Sequence, residues 1–197
     1  VSHDNNFATI LYGNGDGSLS ALTTVSLGAN DAGRSTAITF ADIDDDGVKD
    51  LVSSGGNSQN IYFTHLDSRI SQQGTGSFEF LTQMQLSPTA GGESAQAIST
   101  IDLNNDGNLD LVAGDSDDGI VNVMLGNGNG TFSSAITYEV TASGASAYGN
   151  LSLADFNGDG FVDIGVPDSN LNAFSILLAN GDGTFKAAVS YAQSADG

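Results

Sequence analysis

Short alternating runs of apolar and polar residues dominate the chain. Residues 7–12, 120–125 and 173–178 alternate in this way, as half-buried β-strands do. A 3.6-residue period is not sustained, so helices are not expected. A second kind of run is apolar almost throughout: Leu51-Val52, Leu111-Val112-Ala113 and Ile164-Gly165-Val166. These read as short strands buried on both faces. A third kind, at residues 37–41, 97–101 and 151–154, alternates small with larger side chains. That suits a crowded inner strand.

Each alternating run leads into a glycine-rich turn. The turns are Gly13-Asn14-Gly15-Asp16-Gly17, Gly126-Asn127-Gly128-Asn129-Gly130 and Ala179-Asn180-Gly181-Asp182-Gly183, followed by Leu19, Phe132 and Phe185. Asn-Gly between alternating strands predicts hairpins, because the central residues must reach positive φ. Asp16 and Asp182 are read as turn residues rather than as a second metal site.

Between the inner-strand and buried-strand runs lies a more specific pattern. Asp155-Phe156-Asn157-Gly158-Asp159-Gly160-Phe161-Val162-Asp163 places oxygen side chains first, third, fifth and ninth, with Gly sixth. Asp42-Ile43-Asp44-Asp45-Asp46-Gly47-Val48-Lys49-Asp50 and Asp102-Leu103-Asn104-Asn105-Asp106-Gly107-Asn108-Leu109-Asp110 repeat it. Alternate oxygens around a sharp bend suit calcium, a hard cation that takes six to eight oxygen ligands. The seventh residues, Val48, Asn108 and Phe161, are placed to offer backbone carbonyls. The expectation is therefore three calcium sites. Their ligands are Asp42, Asp44, Asp46, Val48 and Asp50; Asp102, Asn104, Asp106, Asn108 and Asp110; and Asp155, Asn157, Asp159, Phe161 and Asp163. An EF-hand is disfavoured: its bidentate Glu at position twelve is replaced by Ser53, Ala113 or Val166, and strands rather than helices flank the loop.

The loops begin at residues 42, 102 and 155, spacings of 60 and 53. A weaker turn, Gly74-Thr75-Gly76-Ser77-Phe78, fits the gap between the first two strong ones. A repeat of this length signals a stacked supersecondary unit. Strand, loop, buried strand, strand, turn and strand make four antiparallel strands, the content of a β-propeller blade. The fold class expected is all-β, with about three and a half blades of a seven-bladed propeller. Residues 1–27 supply an outer hairpin, and 35–90, 94–143 and 147–193 one blade each. Such a segment is expected to be covered by the remainder of a longer propeller or by another copy, since open blades leave unpaired edges.

Composition narrows the function. There are 24 acidic and 4 basic residues, a net charge of −20. Nucleic acid is excluded as a partner, because phosphate neutralisation needs a basic surface. Three calcium ions would reduce the charge to −14. The absence of cysteine removes disulfides and thiolate chemistry. No apolar run is long enough to span a membrane as a helix.

The segment Ala154-Asp155-Phe156-Asn157-Gly158-Asp159-Gly160-Phe161-Val162-Asp163-Ile164-Gly165-Val166-Pro167 resembles the FG-GAP repeat of integrin α-subunit propellers and the related bacterial VCBS-type repeats. In that family the loop D-x-[DN]-x-[DN]-G-x-x-D binds calcium between the first two strands of a blade, and Gly-x-Pro often follows. Only the third copy keeps Gly165-Val166-Pro167; the others have Ser53-Ser54-Gly55 and Ala113-Gly114-Asp115. The resemblance extends from Phe7 to Tyr191. It implies fold and metal, and leaves the ligand open.

No catalytic constellation emerges, so an enzyme is not expected. There is no Gly-x-Ser-x-Gly elbow, and His3 and His65 lack zinc-type spacing. Asp115, Asp117 and Asp118 are read as an exposed acidic loop rather than a glycosidase pair. The expected function is a secreted or cell-surface adhesion module that recognises glycan or extracellular protein. The alternative is a non-catalytic module of a larger secreted enzyme. Candidate contact loops are residues 29–35, 88–94 and 141–148; Tyr62, Tyr138 and Tyr148 have the chemistry to stack on sugars but are read first as half-buried strand packing.

Overall fold

The computed structural model describes residues 7–26, 37–54, 60–66, 78–85, 97–115, 119–140, 151–168 and 172–192. Among these the chain is all-β. The first sheet is a hairpin of β1 (Phe7–Gly13) and β2 (Leu19–Ser26). Three four-stranded antiparallel sheets follow, each pairing its strands in chain order. Sheet one contains β3 (Ile38–Ala41), β4 (Asp50–Ser54), β5 (Asn60–Leu66) and β6 (Phe78–Gln85). Sheet two contains β7 (Ala97–Ile101), β8 (Asp110–Asp115), β9 (Ile120–Met124) and β10 (Ile136–Glu139). Sheet three contains β11 (Ser152–Ala154), β12 (Asp163–Asp168), β13 (Ala173–Leu177) and β14 (Val189–Ala192). No helix among the described residues is long and apolar enough to cross a membrane.

Side-chain alternation explains why the sheets stack face to face. On β8, Leu111 and Ala113 join Ala41, Ile43 and Val52 of sheet one, together with Met124 from β9. Val112, between them, points the other way and joins Val121, Val123, Ile164, Val166 and Leu177 in the core shared with sheet three. Successive strand residues face opposite sides, so an unbroken apolar run is what a strand between two neighbours requires. The outermost strands β10 and β14 are largely exposed. These are stacked blades of the propeller type.

One expectation at the sheet ends fails. Asp115 does not sit in an exposed loop. The β8–β9 ladder runs on to an Asp115–Ile120 pair, so Asp115 is a buried strand residue, 3% exposed. Asp117 and Asp118 lie outside the described residues, as do the contact loops 29–35, 88–94 and 141–148, Tyr148 and His3. Tyr62 and His65 lie on β5.

Candidate metal centres

The three acidic loops each connect the first two strands of a four-stranded sheet: β3 to β4, β7 to β8 and β11 to β12. Each loop is shaped by its own carboxylates. Asp42 accepts the N–H groups of Asp46 (3.1 Å) and Gly47 (2.9 Å). Asp102 does the same for Asp106 (3.2 Å) and Gly107 (3.0 Å). Asp155 does so for Asp159 (3.2 Å) and Gly160 (2.9 Å), and also takes Gly158 (2.6 Å). The fifth-position carboxylates Asp46, Asp106 and Asp159 accept the N–H of the seventh residue at 2.8–2.9 Å. Asn104 and Asn157 accept from Asp106 and Asp159 backbone, and donate their amides to the carboxylates of the same residues.

Two backbone positions per loop adopt positive φ. The sixth is the expected glycine: Gly47, Gly107 and Gly160. The fourth, which the sequence reading passed over, is Asp45 (60°), Asn105 (59°) or Gly158 (79°). Asp, Asn and Gly are the residues that enter this region most readily, so their recurrence at the fourth position was a signal in plain view.

The ninth-position aspartates Asp50, Asp110 and Asp163 are fully buried. In each, Oδ2 accepts the N–H of the second loop residue: Ile43 (3.0 Å), Leu103 (2.8 Å) or Phe156 (3.0 Å). In sheets two and three, Oδ1 also accepts the N–H that opens the distant glycine-rich turn, Gly126 or Ala179, both at 2.8 Å. These amides lie 16 residues downstream in both repeats. A recurrent offset of this kind is legible only once the two turns are aligned.

In the first loop, ligand oxygens of Asp42, Asp44 and Asp50 lie within 4.8 Å of one another. Oxygens on opposite sides of a calcium ion, each at about 2.4 Å, are about 4.8 Å apart. The three carboxylates therefore fit one cation. Asn104 and Asn157 stand where Asp44 does, so the second and third loops would bring fewer charges to the same arrangement.

Electrostatics divide the groups. Burial pushes the Asp110 carboxyl up, against the Gly126 and Leu103 hydrogen bonds, and repulsion from Asp106 and Asp102 adds to the rise. The N–H groups of Asn108 and Gly160 hold Asp106 and Asp155, respectively, below the usual value of 3.8. A divalent cation would relieve the repulsion at Asp110.

The seventh side chains have a further contact. Asn108 lies against Gly128 and Phe161 against Gly181, so a Cβ at either glycine would fall 2.2 or 2.6 Å from them. These two glycine-rich turns thus rest on the acidic loops of their own sheets. Gly130 N–H also donates to Ile43 O of the preceding sheet (3.0 Å). Asp16 and Asp182 are engaged within their turns, each accepting from the backbone and hydroxyl of Ser18 or Thr184. Tyr138 is half-buried: its hydroxyl accepts Phe185 N–H (3.1 Å), and its ring meets that of Phe185 edge-on at 5.7 Å.

Residues 1–53, 64–113 and 102–166 match the family described as FG-GAP-like repeat. No curated protein gives a significant match. Among solved structures, the chain resembles a lectin from Agrocybe aegerita, described as specifically recognising non-reducing terminal N-acetylglucosamine, with a TM-score of 0.56 and 21% identity. The match covers 94% of this chain and 46% of the lectin chain, so the chain spans about half that protein's length.

Proposed function

Because the chain belongs to the FG-GAP-like repeat family, we propose that it is a calcium-stabilised, non-catalytic binding module that works outside the cell. The observation that carries the metal is the convergence of Asp42, Asp44 and Asp50 within 4.8 Å. Calcium would be held in each loop by the first, third, fifth and ninth side chains and the carbonyls of Val48, Asn108 and Phe161. Sites made of a few oxygens on a surface loop suit the high calcium concentrations found extracellularly, which supports a secreted or cell-surface setting.

The bound partner is a glycan or an extracellular protein, taken by loops at one end of the stacked sheets. A rigid scaffold with variable connections is the usual home of recognition residues. The lectin with a similar fold recognises a terminal sugar, which favours glycan as the first class to test. The reading is tested on a glycan array and a panel of matrix proteins, with calcium present and again with excess chelator. Calcium-dependent retention of a defined glycan or protein is expected. No retention on either panel by the calcium-loaded, folded chain would contradict it.

A further inference from the structure

The glycine-rich turn of sheet two, residues 126–131, touches two acidic loops at once: loop one (residues 42–50) and loop two (residues 102–110). At its start, Gly126 N–H donates to Asp110 Oδ1 (2.8 Å), the ninth residue of loop two. Gly128 lies against the carboxamide of Asn108, the seventh residue of that loop, with no room for a Cβ. At its far end, Gly130 N–H donates to Ile43 O of loop one (3.0 Å). A Cβ on Gly130 would lie 3.6 Å from the Cβ of Asp44. Ile43 stands between the proposed ligands Asp42 and Asp44. Between these contacts the turn is braced. Asn127 N–H donates to Thr131 O, and its carboxamide donates to the Thr131 hydroxyl, both at 2.9 Å. The turn is therefore a short strut from loop two to loop one.

The corresponding turn of sheet three, residues 179–184, is anchored in the same way at its start. Ala179 N–H donates to Asp163 Oδ1 (2.8 Å), and Gly181 lies against Phe161, so this turn is tied to loop three (residues 155–163). Its far end goes elsewhere. Gly183 faces Leu125, just beyond β9, and Phe185 N–H reaches the Tyr138 hydroxyl on β10 (3.1 Å). Neither belongs to loop two. Loop two meets sheet three through the Leu103 side chain in the shared core. Among the described residues, a turn thus bridges loops one and two, while the turn of sheet three stops short of loop two.

We propose that calcium binding at loops one and two is coupled through the turn at residues 126–131, while loop three binds independently. This rests on the calcium reading of the loops. An ion in loop one fixes Asp42 and Asp44, and with them the Ile43 carbonyl that holds Gly130. An ion in loop two fixes the Asn108 and Asp110 seats of the same turn. Whichever loop fills first orders the strut, so the second ion meets a loop whose ordering cost is already reduced. Chains of hydrogen bonds and packed contacts can carry coupling of this kind.

The test follows calcium binding loop by loop, by NMR of the Gly47, Gly107 and Gly160 amides, in the wild-type chain and in variants with one loop disabled. Asp106→Ala, folded by circular dichroism, is expected to weaken calcium binding at loop one about 5-fold or more and to leave loop three unchanged. Asp46→Ala should weaken loop two by the same factor, because coupling between binding free energies is reciprocal. Either variant therefore serves if the other does not fold. Exchange of the Gly130 amide should slow when the wild-type chain is loaded with calcium. Unaltered affinity at the remaining bridged loop in either variant, or Gly130 exchange indifferent to calcium, would overturn the proposal. So would an equal loss at loop three, which would mean general loosening rather than a strut. A wild-type chain in which no loop takes up calcium would overturn the calcium reading itself, and the coupling with it.

Discussion

At Asp110 and Asp163 both carboxylate oxygens already accept backbone N–H groups, from the loop on one side and the distant turn on the other. The ninth aspartate is thus a structural fastener as well as a proposed ligand. Its position was legible in the spacing, but its amide partners were not, because a sequence shows side chains and not which backbone groups end up buried. Asp115 was misread for a related reason: the length of the β8–β9 ladder decides whether it is loop or strand. The fastener role has a consequence in metal-free protein. Asp110→Ala leaves the Leu103 and Gly126 amides without an acceptor, at about 1–3 kcal/mol per buried donor. Loss of the buried charge offsets part of that. A net destabilisation of about 1–3 kcal/mol is expected in denaturant unfolding with excess chelator. Unchanged stability there would reduce Asp110 to a metal ligand alone.

Among the elements, the strands and glycine-rich turns were the most readable. Period-two alternation and Asn-Gly leave little freedom in how residues 120–132 or 173–185 fold, and the structure has hairpins there. Less readable was how each turn is wired. Thr184 donates its hydroxyl to Asp182 and accepts from the Asn180 amide. The Thr184 hydroxyl, and then its backbone N–H, hold Asp182 below the usual 3.8. A carboxylate depressed in the folded state contributes stability above its unfolded pKa and loses it as pH falls through the folded value. Thr184→Val should therefore bring the Asp182 titration, followed by NMR, back up toward 3.8. Its stability deficit should be present at neutral pH and fade below that value. A deficit unchanged at acid pH would mean that the turn depends on packing rather than on this hydrogen bond.

For the whole molecule, stacking follows from strands that are apolar on both faces, and that much could be read from Leu111-Val112-Ala113. The specific joint between sheets could not. Tyr138 packs half-buried on its strand, as read from the sequence, but that its hydroxyl and ring both receive Phe185 was not legible. Tyr138→Phe keeps the ring contact and removes the acceptor for one amide. A loss of about 1 kcal/mol is expected in thermal unfolding; no loss would show that water replaces the hydroxyl.

The net charge of −20 acts at the same scale. Ten of the acidic groups are the alternate carboxylates of the three loops, drawn together by folding, so the metal-free molecule works against its own repulsion. A cation that binds only the folded loops converts that repulsion into stability. The direct measurement is a calorimetric titration of chelator-stripped protein with calcium. Three calcium ions per chain are predicted, falling to two in Asp159→Ala, with magnesium a poor substitute because it demands a smaller octahedral cage. A stripped, folded chain that takes up no calcium at millimolar concentration would contradict the account.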